Sequence, residues 1–441
     1  MIKTVLISTL LFGASAVAVA ASSDAAPSGS ASSAPASPLV SAKLSDVDAN
    51  TGIALTEGFS ATVFADEIGV ARHMAVAENG WVYVALYRPK DGFGGVALKD
   101  SDGDGEADEA HYFGEGLTGT GIELQGDYLY YGADQEILRY DLSESPLPGA
   151  EAQTIVSGFP AQRAHAAKPL AFDGAGYLYV NIGVPSNACM VEIRQKGSPG
   201  QDPCPELENH GGIWRFKADQ PGQDFKKDGY RYSTGHRNAV GIDWNPYADA
   251  LYLMQHGRDQ LGSFFPDYYS EADSAELPAE EFHKVEEGAD LGFPYSYYDH
   301  RKGARMKMPE YGGDGQITSD IGQMPLVGFP GHWAPNDVFF PRRATLPASM
   351  KYGAFIAFHG SWNRAPFPQA GYRVAFVPMN EAGDVTGDWI TFADGFSGDP
   401  ELRSPTKAKY RPMGLADDTK GALYISSTAG GRIWRVTYNG E

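Results

Sequence analysis

One histidine and two arginines could do chemistry together if the fold brings them to one place. His165, Arg237 and Arg411 each come shortly after a segment that ends in a similar phrase containing glycine. An imidazole can accept a proton near neutral pH, as a general base must. Two guanidinium groups can bind carboxylates or stabilise developing negative charge. Singly, His165 is more often an ordinary hydrogen-bonded histidine and each arginine a surface ion pair, so the hypothesis depends on convergence.

Repeated strands are the elements that would position these side chains. Six short aromatic and aliphatic segments recur, at 81–84, 128–131, 177–180, 250–253, 354–357 and 422–425. A second repeated phrase reads as an outer strand with an inward turn, at 112–117, 154–159, 230–235 and 391–396. Recurrence at roughly 50-residue intervals, with four strand positions in each unit, is typical of the blades of a β-propeller.

We therefore predict an all-β fold, a six-bladed β-propeller that residues 51–441 form as one domain. Segment 58–64 precedes the first blade and segment 432–438 ends the last, so we expect an N-terminal strand to join the last blade and close the ring. A closed ring places the equivalent loops of every blade around one central channel. Polar residues in those loops would then face one small volume and form a site.

Two further segments carry glycine and cations directly after predicted strands. They are Gln255-His256-Gly257-Arg258-Asp259 and, at the same place in the next blade, Gly360-Ser361-Trp362-Asn363-Arg364. A glycine there lets backbone carbonyls approach a ligand or a cation closely. The plainer alternatives are an ordinary turn between strands and a tryptophan packed between blades, and the spacing alone does not separate them.

An acidic segment resembles most of a calcium loop. Asp100, Asp102, Asp104 and Asp108 alternate with small residues and glycine, and such carboxylates can surround one hard cation. The bidentate glutamate that ends an EF-hand loop is missing, so an acidic turn between strands is the alternative. In either case the predicted role is structural.

Charge and cysteine content limit the possible partners. The 441 residues hold 35 Lys and Arg against 56 Asp and Glu, a formal net charge of -21, which argues against nucleic acid. Cys189 and Cys204 are the two cysteines, and in an exported protein such a pair is most simply a disulfide. Neither a Cys-x-x-Cys metal motif nor a haem-attachment motif is present.

The N-terminus resembles a targeting segment. Residues 1–20 combine Lys3, an apolar run and a small-residue cleavage site, which predicts a signal peptide and a periplasmic or secreted protein with no membrane span in the mature chain. A membrane anchor is the weaker alternative because the run is short and rich in Ala and Ser. Residues 21–50 are rich in Ala, Ser and Pro and predict a disordered spacer.

The whole set of motifs resembles a known family. From about residue 58 to residue 438 the chain resembles the soluble quinoprotein glucose/sorbosone dehydrogenases, and more narrowly the sorbosone dehydrogenase branch. The matching segments are Lys99-Asp100-Ser101-Asp102-Gly103-Asp104-Gly105, His165, Gly235-His236-Arg237-Asn238, His256-Gly257-Arg258-Asp259, His359-Gly360-Ser361-Trp362-Asn363-Arg364, Tyr410-Arg411-Pro412-Met413-Gly414 and Gly430-Gly431-Arg432-Ile433-Trp434-Arg435-Val436.

The resemblance implies a cofactor and a reaction. It implies pyrroloquinoline quinone and Ca²⁺ at the channel mouth, and oxidation of an aldose or a related sugar or aldehyde by hydride transfer to the quinone. His165 then takes the place of the base that removes the hydroxyl proton, and Arg237 with Asn238 faces the quinone and its calcium. The electrons pass to an external acceptor, a quinone or a cytochrome, since no electron-transfer domain is appended.

The same resemblance assigns the remaining positions at the mouth. Gly257 and Arg258 match residues whose backbone oxygens bind the cofactor calcium. The cofactor's carboxylates and ring oxygens would be held by His256, Arg364 and Arg411, with Lys409 a weaker candidate. Two long segments, 262–280 and 300–335, would roof the mouth.

Two other functions stay open at this point. A calcium-dependent propeller hydrolase of the lactonase kind also needs a metal and a base in the channel, but it predicts inward carboxylates as metal ligands. A non-catalytic sugar-binding propeller keeps the fold and does not need His165 as a base.

Overall fold

The computed structural model describes residues 43–440, which fold as short β-strands joined by turns and longer loops. The first fourteen strands are β1 (Ala54–Leu55), β2 (Phe59–Ala65), β3 (Ala71–Val76), β4 (Val82–Lys90), β5 (Phe93–Lys99), β6 (Glu109–Glu115), β7 (Gly119–Gln125), β8 (Tyr128–Ala133), β9 (Ile137–Asp141), β10 (Gln153–Ser157), β11 (Leu170–Phe172), β12 (Tyr177–Ile182), β13 (Gly212–Lys217) and β14 (Gln223–Asp224). The next fourteen are β15 (Tyr230–Thr234), β16 (Gly241–Asn245), β17 (Ala250–Gln255), β18 (Glu280–Val285), β19 (Ser296–Asp299), β20 (Ala304–Lys307), β21 (Val327–Phe329), β22 (Pro335–Phe339), β23 (Ala354–Phe358), β24 (Arg373–Val377), β25 (Ile390–Asp394), β26 (Pro412–Asp417), β27 (Leu423–Ser427) and β28 (Ile433–Tyr438).

Helices are few and short in the described part of the chain. The α-helices are α1 (Phe225–Asp228), α2 (Leu261–Phe264) and α3 (Glu271–Glu276). The 3-10 helices span Pro205–Glu208, Pro309–Tyr311, Ala348–Met350 and Pro405–Lys407. Across residues 43–440, no helix is both long enough and apolar enough to span a bilayer.

The strands form six antiparallel sheets of four strands each, which confirms the predicted six-bladed propeller. From the channel outwards the sheets are β3–β4–β5–β6, β7–β8–β9–β10, β11–β12–β13–β15, β16–β17–β18–β21, β22–β23–β24–β25 and β26–β27–β28–β2. The short strands β14 and β1 lie outside β10 and β25, and β19 pairs with β20 as a separate hairpin. The six predicted aromatic segments overlap the second strands, and the predicted outer phrases overlap β6, β10, β15 and β25.

Apolar cores lie between neighbouring blades because the second strands are buried on both faces. On β8, Leu129 and Tyr131 pack in the core shared with the first blade, whereas Tyr130 packs in the core shared with the third. Side chains that alternate along a strand point to opposite faces, so one strand supplies two cores. Six such clusters follow one another around the ring.

The two ends of the described chain meet in the sixth sheet. Strand β2 pairs antiparallel with β28 as the outermost strand of that sheet. The last inter-blade core joins Phe64 of β2, Tyr424 of β27 and Val84 of β4, so the sixth blade packs against the first. All six inner strands therefore contact their neighbours in a closed circle.

The predicted N-terminal segments fall mostly outside the described residues. The predicted signal peptide, 1–20, and residues 21–42 of the predicted spacer lie outside them. Within residues 43–50, the amide of Ser45 donates a 2.8 Å hydrogen bond to Leu55 O, and Leu44 forms an isolated bridge with Thr56. This short piece of the predicted spacer is therefore hydrogen-bonded to the propeller.

The two long segments and the cysteine loop form a small substructure on the fourth blade. Cys189 and Cys204 are joined by the predicted disulfide, with 6.1 Å between their Cα atoms. Helix α2, the residues that flank α3 and the β19–β20 hairpin share a separate apolar cluster that includes Tyr269, Tyr297 and Met306. Backbone bonds such as Gly200 N to Glu310 O, 2.9 Å, tie the disulfide loop to this cluster.

The acidic loop joins β5 to β6, and its carboxylates accept hydrogen bonds from backbone amides of the same loop. Carboxylate oxygens of Asp100, Asp102 and Asp108 all lie within 4.8 Å of one another, close enough to share a cation. Asp104 is not in this group; its Oδ1 accepts a 2.8 Å hydrogen bond from the amide of Glu106. A structural calcium here stays a prediction, with three of its four proposed ligands close together.

Ring closure predicts unequal costs for two tryptophan truncations. Trp434 of β28 is fully buried and donates a 3.0 Å hydrogen bond to Thr51 O, whereas 54% of Trp362 is exposed. We expect Trp434→Ala to lower the free energy of unfolding by about 3–5 kcal/mol, since it opens a cavity beside the closing strand. Trp362→Ala is the matched control and should change it by less than about 1 kcal/mol. Guanidinium unfolding midpoints check both values, and equal midpoints would contradict the closure described here.

The acidic loop predicts a calcium-dependent gain in thermal stability. Adding millimolar Ca²⁺ should raise the melting temperature, because an ion bound only to the folded protein stabilises it by mass action. Asp108→Asn should abolish the rise, whereas Asp104→Asn should retain most of it because Asp104 lies outside the group of three. Differential scanning calorimetry with and without a chelator measures both. A melting temperature insensitive to Ca²⁺ would rule out the structural site.

Candidate active site

The channel mouth is built from two sets of loops at the same end of the blades. In an antiparallel sheet, the start of the innermost strand lies beside the end of the second strand. His165 precedes β11, Arg237 precedes β16 and Arg411 precedes β26, so all three lie in loops that enter innermost strands. The turns after β17 and β23, which hold His256 and Arg364, join this end from the second strands.

His165 is held so that one ring nitrogen stays available. Its Nδ1 lies 2.6 Å from Val184 O, and because a carbonyl can only accept, Nδ1 carries the proton. Its Nε2 makes no hydrogen bond with the residues described. Burial, aided by the nearby charge of Arg237, lowers the pKa of His165 to about 3, so the imidazole is neutral with a lone pair on Nε2.

A glycine allows His165 and Asn238 to lie close together. A Cβ added to Gly183 would be 2.7 Å from His165 Cβ and 2.8 Å from Asn238 Oδ1, closer than atoms can approach. His165 itself has φ +55°, a left-handed conformation that is uncommon for a residue with a side chain. Such conformations persist only where the surroundings impose them, and they concentrate at functional sites.

Arg237 is buried and bonded to oxygens of two blades. Its Nε donates to Asn187 O at 3.0 Å and its Nη2 to Asn187 Oδ1 at 3.0 Å. Nη1 donates to Gly257 O at 3.0 Å, and Nη2 also contacts Asp259 Oδ2 at 3.1 Å. Its backbone amide donates to Gln255 Oε1 at 3.1 Å. Backbone and side chain are therefore both fixed beside His165.

Two buried glutamates on β18, Glu280 and Glu281, hold residues that contact Arg237. Glu281 Oε1 accepts a 3.4 Å hydrogen bond from Gln255 Nε2, and its other oxygen pairs with Arg305 at 2.6 Å. Glu280 accepts from the amide of Gly257 at 2.9 Å, and burial raises the pKa of Glu280 to about 8. The two glutamates thus hold the residues that contact the backbone and the guanidinium of Arg237.

His256 lies at the mouth, whereas the side chain of Arg258 points elsewhere. His256 Nε2 donates to Pro335 O at 2.8 Å, and burial lowers its pKa to about 4. The Arg258 guanidinium is fully buried against Glu310 at 2.6 Å, within the substructure on the fourth blade. The resemblance assigned only the backbone oxygens of Gly257 and Arg258 to calcium. Gly257 O already accepts a bond from Arg237, so Ca²⁺ at that oxygen would meet an adjacent positive charge.

Arg411 and Arg72 form the opposite side of the mouth. Arg411 Nε donates to His359 O at 3.0 Å and its Nη2 to Gly360 O at 2.8 Å. Arg72, on innermost strand β3, reaches Thr120 Oγ1 with Nε and Nη2 at 3.2 and 3.1 Å. Among the residues that the structure describes, neither guanidinium has a carboxylate within salt-bridge distance.

The positive charges of this half of the mouth act on one another. Burial lowers the pKa of Arg72 to about 10, and the charge of Arg411 adds to that effect. Burial, with Arg411 and Arg72, also holds the pKa of His359 well below its usual range. The charge of Arg72 also lowers the pKa of His256, and a proton on His256 would in turn lower the pKa of His165. The mouth is therefore a ring of cations and neutral histidines that an anion would stabilise.

Two predicted cofactor residues lie apart from this ring. Arg364 donates to Ala275 O at 2.6 Å and pairs with Glu276 at 2.5 Å, so it fastens α3 to the propeller. Lys409 is exposed, with Nζ 5.2 Å from the centre of the Tyr410 ring. Both line a cleft of about 1040 Å³ beside the fifth and sixth blades that includes neither His165 nor Arg237. Their assignment to the cofactor stays a prediction without a contact to support it.

Several residues of the mouth were not predicted from the sequence. Arg72 lies within a strand and carries no glycine-containing phrase that could have marked it. Asp259 and His359 belong to segments that resemble the family, but the spacing of Asp259 does not distinguish it from ordinary turn residues. His332 lies in a long segment without a repeat counterpart. The repeat pattern finds loop positions that recur in several blades. His359 was such a position, because His359-Gly360 corresponds to His256-Gly257 of the preceding blade, whereas Arg72 and His332 do not recur.

Solved structures with the same fold include two fungal enzymes. The chain matches the holo pyrroloquinoline quinone domain of pyranose dehydrogenase from Coprinopsis cinerea with a TM-score of 0.70 and 18% identity, over 91% of this chain and 99% of that one. It matches the calcium structure of a Trichoderma reesei carbohydrate-active enzyme of family AA12 with a TM-score of 0.69 and 18% identity, over 87% and 96%. At such identities the likeness shows the fold.

Sequence comparison places the chain in a family. It is 25% identical over 246 residues to a pyrroloquinoline quinone-dependent sugar dehydrogenase of Hypocrea jecorina, a match that covers 50% of this chain. The chain spans about half the length of the curated relatives it matches. The family model described as TrAA12-like matches residues 53–439, which is most of the sequence and nearly all of the propeller. The chain therefore belongs to the TrAA12-like family.

Proposed function

We propose that this protein is a pyrroloquinoline quinone-dependent dehydrogenase that oxidises an aldose or a related sugar or aldehyde. The observation that carries the proposal is the channel mouth, where Arg72 and Arg411 lie half-buried without a carboxylate within salt-bridge distance and His165 presents a free Nε2. The names of the fungal relatives, a pyranose dehydrogenase and a sugar dehydrogenase, support the same reaction class.

The residues at the mouth fit the proposed cofactor. Pyrroloquinoline quinone is a flat quinone with several carboxylates, and guanidinium groups bind carboxylates through paired, charge-assisted hydrogen bonds. Arg72 and Arg411 would hold those carboxylates, with His359 between them. Taking two guanidinium groups even partly out of water without a counter-ion costs free energy, and an anionic ligand would offset that cost. Calcium at Gly257 is a weaker part of the proposal because Arg237 occupies that oxygen.

When bound, the cofactor would supply a two-electron acceptor for the hydride of the substrate carbon. His165 Nε2 takes the proton of the substrate hydroxyl, while Val184 O holds the ring orientation through Nδ1. A base with a pKa of about 3 is weak, but bound carboxylates would offset the charge of Arg237 and raise that pKa. Arg237 lies beside His165, and its positive charge stabilises the negative charge that develops on the substrate oxygen as the proton leaves.

Three more specific proposals, on the branch of the family, the location and the electron acceptor, rest on the sequence motifs alone. We propose that the chain belongs to the sorbosone-type branch, that the mature protein is periplasmic or secreted, and that its electrons pass to an external quinone or cytochrome.

A lactonase-like hydrolase would need carboxylates free to bind a metal in the channel. At the mouth, Asp259 is paired with Arg237 and Glu280 accepts two backbone amides.

The direct test is reconstitution. The purified protein is titrated with pyrroloquinoline quinone, with and without Ca²⁺, and binding is followed by calorimetry. The holoprotein is then mixed with a panel of pyranoses and an artificial electron acceptor, and reduction is followed by absorbance. Binding followed by reduction supports the dehydrogenase. Binding without reduction by any sugar indicates a non-catalytic protein, and lactone hydrolysis without the quinone indicates the hydrolase.

The free imidazole predicts the behaviour of a His165 variant. His165→Ala should bind the quinone with nearly unchanged affinity but lose about 10²–10⁴-fold in kcat, since the general base is gone. With a folded-state pKa lowered to about 3 by burial and Arg237, the free wild-type enzyme should show no acid limb near 6.5 in its kcat/KM profile. Stopped-flow rates across pH check both. Turnover retained in the alanine variant would remove His165 from the mechanism.

The unpaired arginines predict the strength of quinone binding. Arg411→Ala and Arg72→Ala should each weaken it by about 1–3 kcal/mol, the worth of a charge-assisted hydrogen bond. Lys409→Ala is the matched control, because Lys409 is exposed and lies in the separate cleft. Calorimetric titration of each apoprotein measures the difference. Unchanged affinity in both arginine variants, or a larger loss in the lysine variant, would contradict the proposed orientation of the cofactor.

A further inference from the structure

The connection between β12 and β13 contacts both residues that are proposed to act on the substrate. It spans residues 183–211, of which residues 184–189 form a bridging segment. Val184 O accepts the 2.6 Å hydrogen bond from His165 Nδ1, and Val184 N donates to Arg237 O at 2.9 Å. One short stretch of backbone therefore fixes the base and the arginine relative to each other.

Asn187 is the residue through which the bridging segment holds the Arg237 side chain. Its backbone O and its Oδ1 each accept a 3.0 Å hydrogen bond from the guanidinium. Its Oδ1 also accepts from the amide of Asp259 at 2.9 Å, and its Nδ2 donates to Asp259 O at 2.9 Å. Only 3% of Asn187 is exposed. A side-chain amide both accepts and donates, so it can join a cation to a backbone turn.

The bridging segment ends at the disulfide rather than at a strand. Cys189 is buried and has φ +50°, a left-handed conformation that persists in a residue with a side chain only where its surroundings impose it. Residues 191–197, which follow, are all exposed. The disulfide to Cys204 is therefore the covalent attachment of this end of the segment.

Cys204 lies in a better anchored part of the same connection. Its amide donates a 3.0 Å hydrogen bond to the Tyr295 hydroxyl, and a 3-10 helix starts directly after it. In that helix, Glu206 Oε2 accepts a 2.7 Å bond from Ser186 Oγ, which in turn accepts from the amide of Cys189. Cross-linking a long loop removes many of the alternative positions that its residues could take.

We propose that Asn187 is a positioning residue for Arg237, and that the Cys189–Cys204 disulfide keeps Asn187 in place, so that full activity requires this cross-link. The proposal rests on the proposed function in taking Arg237 as the group that stabilises developing charge. Without the cross-link the bridging segment moves more freely, and the guanidinium loses the oxygens that aim it at the substrate. The result is a folded but slow enzyme.

Amide hydrogen exchange tests the positioning on the apoprotein, with neither quinone nor sugar present. The amide of Asp259 is bonded to Asn187 Oδ1 and should exchange slowly in the wild type. Asn187→Ala should speed the exchange of this amide about tenfold, since its acceptor is gone. The double variant Cys189→Ala/Cys204→Ala retains Asn187 but should speed the same exchange about fivefold. Peptides from β8, in the core between the first two blades, are the internal reference.

Turnover of the holoprotein tests whether Asn187 acts through Arg237. Asn187→Ala should lower kcat about tenfold, with KM changed less than about twofold, because the lost contact matters most when charge develops. In an Arg237→Ala background the same change should lower kcat less than about twofold, since the group it positions is gone. The double cysteine variant should lower kcat about three- to tenfold, and adding Asn187→Ala should lower it less than about threefold further.

An asparagine at the other end of the blades provides the matched control. Asn380 is exposed in the turn between β24 and β25, so Asn380→Ala should change neither the exchange of the Asp259 amide nor kcat. Melting temperatures show which variants are folded at the assay temperature. If the double cysteine variant does not fold, exchange of the wild type is measured in tris(2-carboxyethyl)phosphine, which reduces the disulfide to two thiols and becomes the phosphine oxide.

Each result bears on the positioning separately from the proposed function. Wild-type exchange at Asp259 in a folded chain without the cross-link would overturn the role of the disulfide. Equal losses of kcat from Asn187→Ala in the wild-type and Arg237→Ala backgrounds would overturn the action through Arg237. If the wild-type protein oxidises no sugar, the proposed function fails, whereas the exchange rates still decide whether the disulfide positions Asn187.

Discussion

The burial of the Arg237 guanidinium determines how the mouth of this propeller is arranged. A guanidinium taken out of water without partners costs several kcal/mol, so the surroundings must supply oxygens in a fork that matches its N–H groups. Asn187 comes from the third blade, and Gly257 and Asp259 come from the fourth. The charge therefore holds two blades at a fixed spacing. Asn238 follows Arg237 in the chain, and both Asn238 and His165 pack against Gly183. The same spacing therefore also fixes the position of His165, the proposed base.

The packing between blades explains why distant residues converge. Each second strand buries both faces, so neighbouring sheets cannot slide without opening a cavity in two cores. The innermost strands are therefore held around the channel, and the loops that enter them are brought to one end. Arg72 and Arg411 come from the first and last blades, and they are neighbours only because the ring is closed. Their mutual repulsion is a cost that the apolar cores outweigh.

The sequence was informative about the fold and less so about the site. The period of aromatic segments predicted six blades because strands that feed two cores need large apolar residues on both faces, and that composition recurs. Loop positions that recur, such as His165, Arg237 and Arg411, could be found in the same way. Arg364 and Lys409 share their motif context but point into a separate cleft, since a side chain's direction depends on the loop path rather than on spacing. Arg72 and His332 belong to no recurring phrase, and only tertiary contacts bring them to the mouth.

Closure by a strand from the N-terminal end makes assembly depend on both ends of the polypeptide. Strand β2 cannot complete the sixth sheet until β28, its hydrogen-bonding neighbour from the far end of the propeller, is in place. Until then the sixth sheet is missing, and the first and fifth blades each present an uncovered apolar face. Joining ends so far apart carries a loop-closure entropy cost, but that cost grows only slowly with the length of the loop. Before closure the chain is exposed to self-association through these faces, and its large negative charge would reduce that association through mutual repulsion.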